Sequence, residues 1–252
     1  MIPIKSPEEI ETMRQCGQHL AQILDLLVKK VDVGVGTKEL NELAEKEIKK
    51  INGWSAFKDY RGFPTTICTC INEEVVHAPA IPNRILQDGD ILSIDIGLRY
   101  PIKNGLITDM ATTIAVGEIP RATKKLLDTT KKSLELAIKK IKSGIHLGDV
   151  SYEIQKIVEK NKFNVVYELV GHGVGKKLHE PPQIPNYGEK GTGPILKTGM
   201  TLAIEPMVVV GKPEVIQDKK TGAFKTRDNS LTAHFEHTVL VTEKGPKILT
   251  IC

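Results

Sequence analysis

The chain has 252 residues, 40% hydrophobic and 26% charged, which suits a packed globular protein and excludes a disordered or fibrous one. A net charge of +4 is too mild to imply nucleic acid by itself, so no specific nucleic acid is expected. The opening MIPIKSPEEIETM lacks the apolar run of a secretory signal, and no later stretch reaches membrane-span length, so the chain reads as cytoplasmic with no membrane partner.

In chain order, Ser6-Pro7-Glu8-Glu9 predicts a helix start, with a serine cap, proline at the first helical position and glutamate at the third. An apolar stripe from Ile10 through Leu20, Leu24 and Leu27 carries that helix toward Gly34. A second helix is expected from Thr37 to Gly53, through Leu40, Ala44 and Ile48. Residues 54 to 117 contain β-branched runs (TTICTCI, DILSIDIGL, ATTIAVG) broken by Gly, Pro and Asn, which predict strands and turns. After Pro120 two more helices are expected, followed by strand-like NVVYELV, MTLAIEPMVVV and EHTVLVT. The stretch GHGVGKKLHEPP, 171 to 182, is expected to be a loop, because its glycines and prolines suit neither a helix nor a buried strand. Cys16, Cys68, Cys70 and Cys252 are too few and too scattered for a disulfide framework and read as reduced thiols.

The second half repeats the first at an offset of 110 residues. Lys29-Lys30 falls on Lys139-Lys140, Gly34 on Gly144, Ile48 on Val158, and GDILSID on GMTLAIE, which lays Asp95 on Glu205. After a change in loop length, TDMATTIAV aligns with FEHTVLV and sets Asp109 opposite Glu236. A duplicated α+β unit follows, one domain over 1–252 with halves near 1–117 and 118–252.

Those four acids lie in apolar strand sequence, where an ionised carboxylate is costly without a compensating charge. The lysines crowd the helices instead, so a metal is the simpler compensation. With His172 the donor set is four carboxylates and an imidazole, suited to Mn²⁺, Fe²⁺, Co²⁺ or Zn²⁺. Four negative charges neutralise two divalent ions. Such a pair, at roughly 3.5–4 Å, activates a bridging water, which makes the centre hydrolytic.

Asp95, Asp109, His172, Glu205 and Glu236, with GHGVG, HEPPQIPNYG, IEPM and FEHT around them, resemble a type I methionine aminopeptidase over essentially the whole chain. The resemblance implies the pita-bread fold, two pseudo-symmetric α+β halves around a central antiparallel sheet. It implies that Asp95 chelates one ion, that His172 and Glu205 bind the other, and that Asp109 and Glu236 bridge both. A metal-bridging hydroxide would attack the first peptide bond, with Glu205 as proton shuttle. His179 would stabilise the oxyanion and His77 would reach the substrate amide. Tyr60, Phe63, Cys68 and Leu178 would form the methionine pocket, with Phe57 at its edge. The substrates implied are the N-termini of nascent polypeptides with a small second residue, and the enzyme would be a monomer.

Three features depart from the family pattern: HAPAIP after His77 is two residues longer than usual, the interval from Asp95 to Asp109 is extended, and KTGAFKTRDNS lacks a tryptophan. The rival readings are an Xaa-Pro peptidase, which shares the ligands but carries an extra amino-terminal domain, and a non-catalytic interaction protein, against which all five ligands stand. Lysine pairs at 124–125, 131–132 and 139–140 recur along the third helix. They read first as a solvated face and second as a weak contact with ribosomal RNA.

Overall fold

The computed structural model describes all 252 residues. Helix α1 (Pro7–Lys30) begins where the sequence places it. Glu9 N donates to Ser6 Oγ at 3.3 Å and Ser6 N donates to the Glu9 carboxylate at 2.9 Å, a reciprocal cap that satisfies two end donors. Three further helices follow, α2 (Thr37–Lys50), α3 (Arg121–Lys140) and α4 (Leu147–Lys160). The turns into α2 and α4 use the same bonds 110 residues apart: Gly34 N donates to Leu86 O and Gly144 N to Leu196 O, both at 2.9 Å. Gly36 bridges Ile85 as His146 bridges Ile195. Gly34 and Gly144 adopt φ of +87° and +91°, which side chains beyond glycine resist.

The main sheet has nine strands, every pairing antiparallel. Across it run Trp54–Ser55, Ile91–Tyr100, Leu106–Ala115, Glu236–Thr242, Thr201–Ile204, Gly171–Gly173 and Glu180–Ile184. Cys68–Ile71 adds to the Ile91–Tyr100 strand and Gly245–Ile248 to Glu236–Thr242. Helices α1 and α2 bury Leu20, Leu24, Leu40 and Ile48 against Leu92, Ile94, Ile96 and Leu98. Helices α3 and α4 bury Leu134, Ile138, Val150 and Ile154 against Leu202, Ile204 and Val239. Because strand side chains alternate, burying Ile94 and Ile96 under the helices turns Asp95 to the other face. Leu202 and Ile204 do the same for Ala203 and Glu205.

Three expectations are corrected. The stretch 171–182 is not simply a loop, since Gly171–Gly173 and Glu180–Ile184 are paired strands. The prolines are tolerated because Glu180–Ile184 is an edge strand. The glycines serve close approach of strands: a Cβ on Gly171 would stand 2.5 Å from Ala203 O. MTLAIEPMVVV divides at Glu205-Pro206, where proline lacks the ladder N–H, and Met207–Val209 joins a separate small sheet with Asn164–Val165 and Thr232–His234. NVVYELV pairs only over Asn164–Val165. Val166 donates once more to Met207 O, and Tyr167 then turns outward.

Candidate metal centre

The sheet register assembles the acids. Asp95 and Glu236 both lie opposite Ala111, one on each side of the Leu106–Ala115 strand, and Asp109 sits two residues along that strand. His172 lies opposite Ala203, two residues before Glu205. The backbone of Asp109 is held from the other half: its N–H donates to Thr238 Oγ1, and that hydroxyl donates to Asp109 O, each at 2.9 Å. Residues far apart in sequence thus share one buried face, contributed by both halves.

One donor atom each from Asp109, His172 and Glu236 lies within 4.8 Å of the others. His172 Nε2 stands 3.5 Å from Glu205 Oε1 and 3.9 Å from Asp109 Oδ2. His172 Nδ1 is 2.9 Å from Gly173 O, which assigns its proton to Nδ1 and leaves the Nε2 lone pair toward the acids. Burial lowers the His172 pKa to about 3, so the ring is neutral at pH 7. Burial likewise pushes Asp95 up to about 7 and holds Asp109, Glu205 and Glu236 well above the ordinary carboxylate range, with mutual repulsion adding at Asp109 and Glu236.

No lysine or arginine ion-pairs with any of these four acids, and only the imidazoles of His172 and His234 approach them. Asp95 Oδ1 and Glu236 Oε1 are buried with no hydrogen-bond partner. Orphaned oxygens beside a neutral imidazole are the donor chemistry of a divalent cation, and the residues fit one.

Every site residue singled out in the sequence lines one cavity of about 600 Å³. Tyr60, Phe63, Cys68 and Leu178 form its apolar wall with Phe57, beside the acids. His179 opens to the cavity. Its Nδ1 is 2.9 Å from Tyr60 Oη, its ring stands edge-on to His172 at 4.4 Å, and burial lowers its pKa to about 4. His77 holds a left-handed backbone at φ +61°, unusual outside glycine and frequent at functional sites, with its ring edge-on to Phe224. Within the two lengthened loops, residues 78–82 and 99–105 do not line the cavity, and the loops meet it at His77 and Asp109.

Sequence reasoning missed four residues. Met207, Phe224 and Leu169 also line the cavity, and Phe224 supplies an aromatic ring from the segment that lacks tryptophan. His234 is fully buried, with its otherwise unpartnered Nε2 3.5 Å from Glu205 Oε2. Glu205 therefore has an imidazole at each oxygen. The signal for His234 was the alternation His-Phe-Glu at 234–236, which sets it two positions from Glu236. The lysine pairs of α3 are all exposed, as a solvated face would be.

A curled antiparallel sheet flanked by two helix pairs, with acids converging at its centre, is the pita-bread architecture of metallopeptidases. The model of metallopeptidase family M24 matches residues 11–243, and the chain belongs to that family. Within it the chain stands beside methionine aminopeptidases. It is 47% identical to the methionine aminopeptidase of Clostridium acetobutylicum, over all of both chains. The crystal structure of the Thermotoga maritima methionine aminopeptidase superposes with a TM-score of 0.97 at 46% identity, again over all of both chains. A Pyrococcus horikoshii prolidase shares the fold at a TM-score of 0.76 and 22% identity, covering 98% of this chain and 63% of its own.

Proposed function

We propose that the chain is a metal-dependent methionine aminopeptidase that removes the first residue of polypeptides when the second residue is small. The observation that carries this is the convergence of Asp95, Asp109, His172, Glu205 and Glu236, buried and without cationic partners, beside an apolar wall of side-chain dimensions. Asp95, Asp109 and Glu236, with His172 and Glu205, would hold divalent ions. Two are favoured because four carboxylates balance two such charges. When bound, the ions supply Lewis acidity and lower the pKa of coordinated water.

The chain's own residues do the rest. Tyr60, Phe63, Cys68 and Leu178 receive the methionine side chain, which sets the scissile bond over the acids. Glu205, as the carboxylate that a bound cation would favour, would accept the proton of the attacking water and return it to the leaving amine. His179, neutral and held at Nδ1 by Tyr60, donates from Nε2 to the carbonyl oxygen as it gains negative charge. His77, which also lines the cavity, meets the substrate amide. No helix is long and apolar enough to cross a membrane. Full-length similarity to methionine aminopeptidases, against fold-level likeness to prolidase, favours this reading over an Xaa-Pro peptidase.

The test is methionine release by chelator-stripped protein supplied in turn with Mn²⁺, Fe²⁺, Co²⁺ or Zn²⁺, on Met-Gly peptides, an Ala-Gly control and an Xaa-Pro dipeptide. Metal-dependent release from Met-Gly alone is expected. Cleavage of the Xaa-Pro dipeptide instead would move the chain to the prolidases.

A further inference from the structure

His179 sits on a segment whose surface residues Lys176 and Lys177 are exposed, yet the segment is pinned from beneath. Lys5 Nζ lies 2.7 Å from Glu180 Oε2, and the two side chains are only 2% and 5% exposed. The other oxygen of Glu180 accepts the backbone N–H of Lys177 at 3.0 Å, closing the turn that carries His179. Lys5 is itself fixed, its N–H donating to Gly199 O at 2.8 Å. Its side chain fills the space over Gly175, where any Cβ would collide with it. A second tie runs from α1, where Glu9 pairs with Lys176 at 2.7 Å. The Leu106–Ala115 strand adds a third, Ile107 N donating to Gly175 O at 2.7 Å.

A buried ion pair is a poor device for stability, because desolvating two charges offsets most of their attraction. It does impose one geometry, since neither partner can move without leaving a bare charge in the interior. His179 has a single side-chain hydrogen bond, to Tyr60, so the placement of its ring depends on its backbone. That backbone runs directly into Glu180. We infer that Lys5 is a positioning residue for His179: through buried Glu180, the amino-terminal segment fixes the turn that aims the imidazole at the substrate carbonyl. The inference rests on the aminopeptidase reading for its catalytic consequence, and on the ion pair alone for the anchoring.

The test is a double-mutant cycle with Lys5→Met and His179→Ala, assayed on a Met-Gly peptide with Mn²⁺, alongside Mn²⁺ calorimetry, thermal melting and amide hydrogen exchange over 175–180. Lys5→Met is expected to lower kcat on the order of 10²-fold, as an ångström of misplacement can. Mn²⁺ affinity should hold, and exchange over 175–180 should rise. In the His179→Ala background the same change should have no further effect on kcat. A lower Tm with unchanged kcat would make the pair a fold staple only, and effects on kcat that multiply would overturn the link to His179. If Lys5→Met fails to fold, Lys5→Met/Glu180→Gln, which buries no unpaired charge, replaces it under the same criteria. A wild-type protein that releases no methionine would sink the functional reading, and unchanged protection over 175–180 would separately sink the anchoring.

Discussion

Tyr60 and His179 are 119 positions apart in the chain, yet Tyr60 Oη lies 2.9 Å from His179 Nδ1 in the lining of the cavity that holds the candidate metal centre. Because burial keeps the ring neutral, a hydroxyl donating to Nδ1 leaves the proton on Nε2, the nitrogen that the proposed mechanism turns to substrate. Tyr60→Phe is expected to lower kcat about 5- to 10-fold, the worth of roughly 1 kcal/mol of hydrogen bond. His179→Ala, which removes the proposed oxyanion donor itself, should cost on the order of 10²–10³-fold. Steady-state kinetics on a Met-Gly peptide compare the two.

The buried acids make metal-free protein sensitive to alkali. In the fold Asp95 is raised to about 7, and Asp109, Glu205 and Glu236 are held well above their usual values. The folded state thus binds protons that the unfolded chain releases above about pH 4, and its stability falls as pH rises from there through 7. Thermal melting in chelator should show Tm dropping across this range. Mn²⁺ at a hundredfold excess over Kd should restore about 2.7 kcal/mol, with the gain in Tm greatest at the alkaline end. A flat chelator profile would contradict the assignment.

Gly171 passes so near Ala203 that a methyl group has no room, the new Cβ standing 2.5 Å from a carbonyl oxygen. Gly171→Ala should destabilise the fold by about 1–3 kcal/mol through overpacking. Since the displaced strand carries His172, metal affinity should fall with it. Urea unfolding and calorimetry read the two effects separately.

The thiols divide by burial. Cys16 is pushed up to about 12, and Cys68 and Cys70 are raised further still, chiefly by desolvation, while Cys252 is exposed. Native protein treated with iodoacetamide near neutral pH should be labelled at Cys252 alone, as peptide mass spectrometry would show. Modification of Cys68 would mean that its cavity wall opens far wider than this packing allows.

Removing a wall side chain should act on binding more than on chemistry. Phe63→Ala should raise KM for Met-Gly peptides while changing kcat less. The loss in kcat/KM should amount to about 1–3 kcal/mol, the range for apolar contacts in a specificity pocket. The ratio of Met-Gly to Ala-Gly turnover measures it.

Local chemistry determined much of this protein from the sequence alone. Ser6-Pro7-Glu8-Glu9 specifies its cap whatever surrounds it, and the helix stripes follow from a period of 3.6. The acids are legible because carboxylates in apolar strands without neighbouring lysines need a cation, and the 110-residue offset by itself pairs Asp95 with Glu205. The tertiary structure decided what depends on register and on contacts distant in sequence. GHG and EPPQI form strands only because a sheet edge accepts prolines and a close neighbour requires glycines. MVVV leaves the main sheet because Pro206 cannot continue its ladder. His234 comes within 3.5 Å of Glu205, and Lys5 within 2.7 Å of Glu180, across 29 and 175 positions of chain. Periodicity reports which face of an element is buried, but not which residue of another element lies against it. That pairing is set when the two halves close.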